Sequence, residues 1–459
     1  VRGLIQKILY GSVETGVNSV EFFIRLHLLV FYSKDLGLSP AWVGIALSIS
    51  ILWDAAIDPW IGRVSDDFKN KKGTRIHLVM IGAIATALTL AALYHPPAAL
   101  QSPASKWIFL LLMSLVFNTS HTLFSIPYSA MVGDYTSDRD ERSRFIAWRL
   151  VFANVGGVLG IAIPGYYLTR SDLSAYGSAS WIVAMLVLAV AFLGSLAPPP
   201  VKKEIHPAGE SLAESPAGKF SNRHPLFQAM ANRPFAILLV SNLVVNVALT
   251  LNSSMALYYY RMRLELSEGD IQNVLLLFLL IFSLSVPLWI WIGKKLGRKW
   301  ALISGAFLIG VTNCFIYPFL PPGNPQAAYI WASGLSGLLV GCAVLLDSVL
   351  TDVIDYDYYL SQKERFGLYF GVWKFSAKFS RAFAVLLAGL FLDWANVSFP
   401  DKDTTERLSL IFGPGVGFFF ILAGAILLIY PLNEKKYAEI KAALKLRENQ
   451  KEMQKEKLS

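Results

Sequence analysis

The chain has little of what soluble catalysts and metal proteins are built from. It holds only two cysteines, Cys314 and Cys342, and both sit in apolar segments. They form neither an extracellular disulfide framework nor a spaced ligand set, and they read as free core thiols. Its six histidines are scattered, with no metal-ligand spacing. No phosphate-binding glycine loop with its lysine occurs, and no nucleophile elbow. Their absence argues against a nucleotide-driven pump and a membrane hydrolase, so the chain is not expected to be an enzyme or to carry an organic cofactor. No A-x-A-like site follows the first apolar segment, so no cleaved leader is expected. Charge is scarce too, at 16% of residues, where a soluble domain has about 25%.

What fills the space is apolar: 54% of the 459 residues are hydrophobic and the mean hydropathy is +0.49. The natural unit of such a chain is the membrane-spanning helix of about 20 residues. About twelve such segments can be placed. Six run near Lys7–Tyr32, Pro40–Val64, Ile76–Tyr94, Lys106–Val132, Phe145–Leu168 and Ser178–Leu196. Six more begin near Pro234, Ile271, Trp300, Ala327, Leu368 and Leu408, the last ending by Leu432. The polar, proline-marked stretch between the sets reads as a solvated linker. The expected organisation is an all-α membrane protein with an N-terminal six-helix bundle (1–197), a cytoplasmic linker (198–232), a C-terminal six-helix bundle (233–432) and a charged cytoplasmic tail (433–459).

Loop charges set an expected orientation. The loop GRVSDDFKNKKGTR after the second span holds five Lys or Arg, and the linker, the GKKLGRK loop and the tail are also basic. HPPAALQSPAS and LPPGNPQAA, on the other side, hold almost none. By the positive-inside rule both termini lie in the cytoplasm, and the net charge of +9 marks the cytoplasmic face instead of a nucleic-acid partner. A monomer in the plasma (inner) membrane, in contact with lipid, is expected.

An internal repeat is visible. WIGRVSDD from Trp60 answers WIGKKLGR from Trp291, Asp134-Tyr135 answers Asp355-Tyr356, and Glu141-Arg142 answers Glu364-Arg365, at offsets of 231, 221 and 223 positions. Matching six-span halves are the mark of parallel-repeat transporters, with the binding site between the halves.

Charges inside the apolar runs are the candidate site. Asp54 and Asp58, in ILWDAAIDPW, lie four apart and share a helix face. An aspartate near a bilayer centre costs roughly 2.5–3.5 kcal/mol, so the pair marks either an ion pathway or a structural tie between helices; a further reading sets Asp58 at the cytoplasmic water line, since Pro59 and Gly62 follow. Two carboxylates and a hydroxyl suffice for Na⁺. Without a metal ion, a close pair holds a proton. Lys374, Lys378 and Arg381 share one face of the eleventh span; Lys378 is the expected cavity residue, facing the carboxylates of span two, and the outer two can also snorkel to an interface. Glu21 and Arg25 either pair with each other or touch substrate. Asp347 is lone in the tenth span, and Arg149, early in the fifth, can reach an anionic or hydroxylated ligand or a carboxylate of a neighbouring helix. Asn118, His121, Thr122 and Ser125 in span four, with Asn242, Asn246 and Asn252 in span seven, can line a cavity or bond between helices.

Three long stretches carry a family resemblance: FYSKDLGLSPAWVGIALSISILWDAAIDPWIGRVSD, IPYSAMVGDYTSDRDERSRFIAWR and DVIDYDYYLSQKERFGLYFGVWKFSAK. They resemble spans one and two, four and five, and ten and eleven of the glycoside–pentoside–hexuronide:cation symporter family, a branch of the major facilitator superfamily with melibiose-permease-like members. The W-D-A-x-x-D-P and P-Y-S-A patterns are also similar to those of the sodium-dependent lysophosphatidylcholine symporters. The resemblance implies a major facilitator fold working by alternating access. It implies a coupling-cation site at Asp54 and Asp58 with Thr122, a coupling lysine at Lys378 and a match of Arg149 to the family's arginine early in span five. The family's two sugar-holding aspartates correspond to Asn18 and Ser125 here, and its aromatic sugar platform to Ser129, so a galactoside is not the expected cargo. The expectation is symport of a small organic substrate with Na⁺, favoured over H⁺: a sugar or glycoside, or alternatively a lysophospholipid or other amphiphile. Asn18, Glu21, Ser125, Arg149, Asp347 and Lys374 are the candidate substrate-path residues. A non-transporting receptor or scaffold on the same fold would not need Asp54, Asp58 and Lys378 together.

Overall fold

The computed structural model describes residues 2–136, 138–169, 175–197, 229–361, 365–432, 434, 436–444 and 446. The expected linker from 198 to 228 and most of the expected tail lie outside the described residues. The described chain is helical throughout. Six helices precede the linker: α1 (Arg2–Val30), α2 (Pro40–Lys72), α3 (Ile76–Leu93), α4 (Pro103–Tyr135), α5 (Arg139–Leu168) and α6 (Ala175–Ser195). Six follow: α7 (Arg233–Tyr258), α8 (Glu268–Leu296), α9 (Arg298–Phe315), the interrupted α10 (Pro325–Ser361), α11 (Phe366–Trp394) and α12 (Thr404–Leu428). Eleven of these are long and apolar enough to cross a membrane; α1, at 29 residues, is long enough but too polar to qualify on composition. The protein is an integral membrane protein.

Local sequence sets the helix ends. Pro40 and Pro103 open α2 and α4 at positions that need no N–H. Ser102, Asp138, Asn232 and Ser267 cap α4, α5, α7 and α8 by accepting from backbone N–H groups. Gly73, at φ 76°, ends α2 behind three lysines that face the helix C-terminus. Within each half, helices pack through small residues, because lipid offers no hydrophobic drive and close approach must supply the contact. Gly156 and Gly160 of α5 lie directly against the backbone of Thr15 and Ser19 on α1, and Gly82 of α3 lies against the backbone of Phe124 on α4.

The two halves touch through α2 against α11, α5 against α8 and α1 against α7. The bonds joining them gather toward one end. Ser39 Oγ donates to Asp393 Oδ1 (2.8 Å), Ser48 Oγ to the Ala382 carbonyl (2.7 Å) and Gln272 Nε2 to the Ala162 carbonyl (3.0 Å). The hydroxyls of Ser33 and Tyr258 also meet there. At this end Gly44 and Gly389 let α2 and α11 close up: a Cβ on Gly44 would stand 2.9 Å from the Val385 carbonyl oxygen, and one on Gly389 would strike the Pro40 carbonyl. At the basic-loop end the same two helices part, and a Cβ on Gly62 or Gly371 would meet nothing within 4 Å.

Candidate cation and substrate site

Midway along the molecule, between the halves, lies a cavity of about 350 Å³. Helix α2 brings Asp54 and Asp58 to it on adjacent turns, α4 brings Thr122, and α11 brings Lys378. The Lys378 ammonium straddles the two carboxylates, 2.7 Å from Asp54 Oδ2 and 2.5 Å from Asp58 Oδ2. Thr122 Oγ1 donates to the other oxygen of Asp54. Asp58 Oδ1 is buried without a hydrogen-bond partner among the described residues. Pro59 sits inside α2 and has no N–H, so the carbonyl of Ala55 is denied its helical donor. Carboxylate and hydroxyl oxygens are thus gathered where a positive charge already sits. Among the described residues no group of three or more His, Cys, Asp or Glu exists that could hold a metal ion. What is gathered here is a pair of carboxylates sharing one ammonium from the opposite half.

Toward the joined end the cavity carries a second charged set. Glu21 and Arg25 from α1 pair at 2.6 Å, and Arg381 from α11 reaches the same Glu21 oxygen at 3.1 Å. Arg381 therefore faces the cavity, not a membrane interface. Asn118, His121 and Ser125 of α4 also line it. His121 stacks on Phe117, with 5.8 Å between ring centroids, and its Nε2 is buried without a partner.

Asn18, Arg149, Asp347 and Lys374 are placed apart from this cavity's lining. Asn18 and Arg149 meet at a separate node on α1 and α5, built around Glu14, a residue the sequence reading passed over. Arg149 Nε donates to Glu14 Oε2 at 2.7 Å and Nη2 to Ser129 Oγ at 3.2 Å, while Asn18 Nδ2 donates to Glu14 Oε1 at 3.3 Å. The guanidinium also lies 4.8 Å from the centre of the Tyr128 ring. Glu14 sits seven residues before Glu21, two turns away on the same face, and that spacing was the available signal. Asp347 is exposed and accepts from Trp373 Nε1 at 2.8 Å. Lys374 is exposed one turn below Lys378.

Two further cavities matter. One of about 230 Å³ adjoins the central one, sharing Arg25; its walls are mostly apolar, with Phe22, Leu249, Phe278, Phe282 and Phe420 among them. The other, about 640 Å³, opens at the joined end beside Trp42, Trp107 and Phe399. Its only ionisable wall residue is Asp393, so it is remote from the charge chemistry.

Comparison with known proteins agrees with this architecture. Residues 9–434 match the family model described as MFS/sugar transport protein. The chain is 27% identical to the sodium-dependent lysophosphatidylcholine symporter 1 of Xenopus tropicalis, with 93% of this chain and 86% of that protein aligned. It is 24% identical to the symporter YnaJ of Bacillus subtilis, over 97% of this chain and 95% of that one. Among solved structures, a bacterial homolog of the human lysosomal transporter Spinster, inward-facing and unoccupied, superposes with a TM-score of 0.63 at 14% identity, covering 94% of this chain and 98% of that one. At that identity the likeness speaks for the fold.

Proposed function

The chain belongs to the MFS/sugar transport protein family, and from that membership we propose that it is a cation-coupled symporter moving a small organic substrate by alternating access. Asp54, Asp58 and Thr122 form the cation site and Lys378 is the coupling group. The observation that carries this reading is the Lys378 ammonium bridging two carboxylates of the opposite half. A buried ammonium must be matched by negative charge, and buried carboxylates by positive charge. An arriving Na⁺ satisfies the carboxylates in place of Lys378 and thereby loosens one tie between the halves. A proton on one carboxylate would do the same less completely, which is why Na⁺ is favoured. The hydroxyl of Thr122 supplies a further oxygen of the kind Na⁺ takes.

The basic loops put the parted end of the helix bundles in the cytoplasm of a plasma-membrane protein. The cargo enters the central cavity, where Glu21, Ser125 and Asn118 offer hydrogen bonds suited to a sugar or glycoside. A second reading, a lysophospholipid-like amphiphile, is favoured by the apolar cavity that joins the central one at Arg25. The Glu14–Arg149–Asn18 node lies on the cytoplasmic side of the central site, along the exit path.

Uptake into proteoliposomes with and without a Na⁺ gradient tests the proposal. Asp54→Asn is expected to abolish the Na⁺-dependent component, a loss of a hundredfold or more, while the folded protein is retained by size-exclusion chromatography. Uptake by that variant that still follows the Na⁺ gradient would overturn the site assignment. A receptor or scaffold on this fold would show no gradient-driven uptake in either form.

A further inference from the structure

Two guanidiniums share one carboxylate oxygen in the central cavity. Arg25 and Arg381 both contact Glu21 Oε1, at 2.6 and 3.1 Å. A guanidinium has five N–H donors in a fork that matches carboxylate and phosphate, so the two together carry far more donors than one glutamate can occupy. The side chains of Arg25, Glu21 and Arg381 are 34%, 32% and 40% exposed, and all three line the cavity. Their free donors face space a ligand can fill.

The charges of the cavity wall balance before anything binds: Arg25, Lys378 and Arg381 against Glu21, Asp54 and Asp58. A cation between Asp54 and Asp58 breaks that balance. It takes the place of the Lys378 ammonium, whose charge remains in the cavity one helical turn from Arg381. Three cationic side chains then stand against Glu21 alone. Away from bulk water such a surplus is costly, and an anionic group held by charge-assisted bonds removes it.

We propose that the substrate carries an anionic group, a carboxylate or phosphate, bound between Arg25 and Arg381, and that cation binding promotes its capture by releasing Lys378 toward it. This rests on the reading of the protein as a cation-coupled symporter. Because Arg25 belongs to one half and Arg381 to the other, the bound anion replaces the interhalf tie that Lys378 gives up. Cation and substrate are coupled through the position of one ammonium.

The test uses two matched pairs on the full-length protein in nanodiscs, read by intrinsic tryptophan fluorescence with and without Na⁺ and at two pH values. The pairs are glucuronate against glucose, and a lysophosphatidate against the monoacylglycerol of the same chain. At least one anionic member is expected to bind tenfold or more tighter than its neutral counterpart, and which pair responds tells a sugar acid from a lysolipid. Arg25→Gln and Arg381→Gln should each erase most of that preference; the wild-type comparison needs no variant to fold. Equal binding within the pairs, binding of neither anionic probe, or a preference untouched in both variants overturns the proposal. If the anion preference holds but neither Na⁺ nor pH alters binding, the coupling reading falls and the anion site stands. If Na⁺ strengthens binding of a neutral member alone, the reverse follows.

Discussion

Between α1 and α2 the chain runs from Phe31-Tyr32 through Leu36, Gly37 and Leu38 to Ser39; between α7 and α8 it runs from Tyr259-Tyr260 through Leu264, Glu265 and Leu266 to Ser267. Each stretch begins with a widened helical turn, and each closes with the same two backbone bonds: Leu36 N–H to the Phe31 carbonyl and Leu38 N–H to the Tyr32 carbonyl in one, Leu264 to Tyr259 and Leu266 to Tyr260 in the other. At this end the halves are copies. At the basic-loop end they differ. In the N-terminal half, Arg75 is buried and holds Asp134 at 3.0 Å, Asp66 at 2.7 Å and Ser65 at 2.9 Å, with Lys69 also on Asp134. In the C-terminal half, Arg298 pairs with Asp352, and the chain beyond α12 completes the node: Glu434 accepts the Arg298 backbone N–H at 2.8 Å, and the Tyr437 hydroxyl donates to Asp355 at 2.8 Å. One half locks its loop with its own groups and the other borrows from the tail. The shared end is fixed by backbone bonds that tolerate side-chain change, whereas the other is fixed by side chains and has diverged.

The comparison makes ordered predictions. Arg298→Gln takes the cation from Asp352, whose side chain is 10% exposed, and should cost about 3 kcal/mol, the scale of breaking a buried pair. Arg75→Gln leaves Asp134 to Lys69 and should cost about 2 kcal/mol through the lost bonds to Asp134, Asp66 and Ser65. Urea unfolding in detergent measures both, and equal costs would erase the distinction between the nodes. Next in size, removing residues 433–459 should destabilise by on the order of 1–2 kcal/mol through the lost Glu434 and Tyr437 bonds. Limited proteolysis should then cut first near the α10 end; cleavage beside α4 instead would show that the tail does not serve its own half. The smallest effect concerns the shared turn. Gly37 has φ 72° and its counterpart Glu265 has φ 52°, a region that costs a side chain roughly 1–2 kcal/mol. Glu265→Gly should therefore stabilise by about 0.5 kcal/mol after the entropy of the added glycine, and Gly37→Glu should cost about 1 kcal/mol, both read as shifts in Tm.

The fold could be read from sequence because lipid enforces long apolar runs. α1 is the exception on composition: Lys7, Glu14, Glu21 and Arg25 dilute it, yet the run from Lys7 to Tyr32 still reads as a span. The Asp54–Asp58–Lys378 cluster was visible because charges in apolar runs need partners and few were available. Arg381 was not separable from a snorkelling residue, since spacing along α11 says which face it shares but not what that face meets. The interruptions of α10, a wide turn at Tyr329–Leu335 and a tight one at Gly341–Val344, shift the helical phase ahead of Asp347, so regular periodicity could not place that side chain. The repeat pointed to Asp355 as the equal of Asp134, yet Arg298 takes Asp352, one turn earlier, while Tyr437 donates to Asp355.

The glycines of α2 and α11 hold one more consequence. Gly62 follows Gly44, and Gly371 precedes Gly389, by eighteen residues each, about five turns, which returns each to the same side of its helix. The two rods thus bear matched notches at both tips, one set engaged and one vacant. Tilting them like a seesaw would swap which set is filled without turning either rod about its axis. A bulky side chain at 62 or 371 would leave the joined tips undisturbed and jam the swing in one direction only.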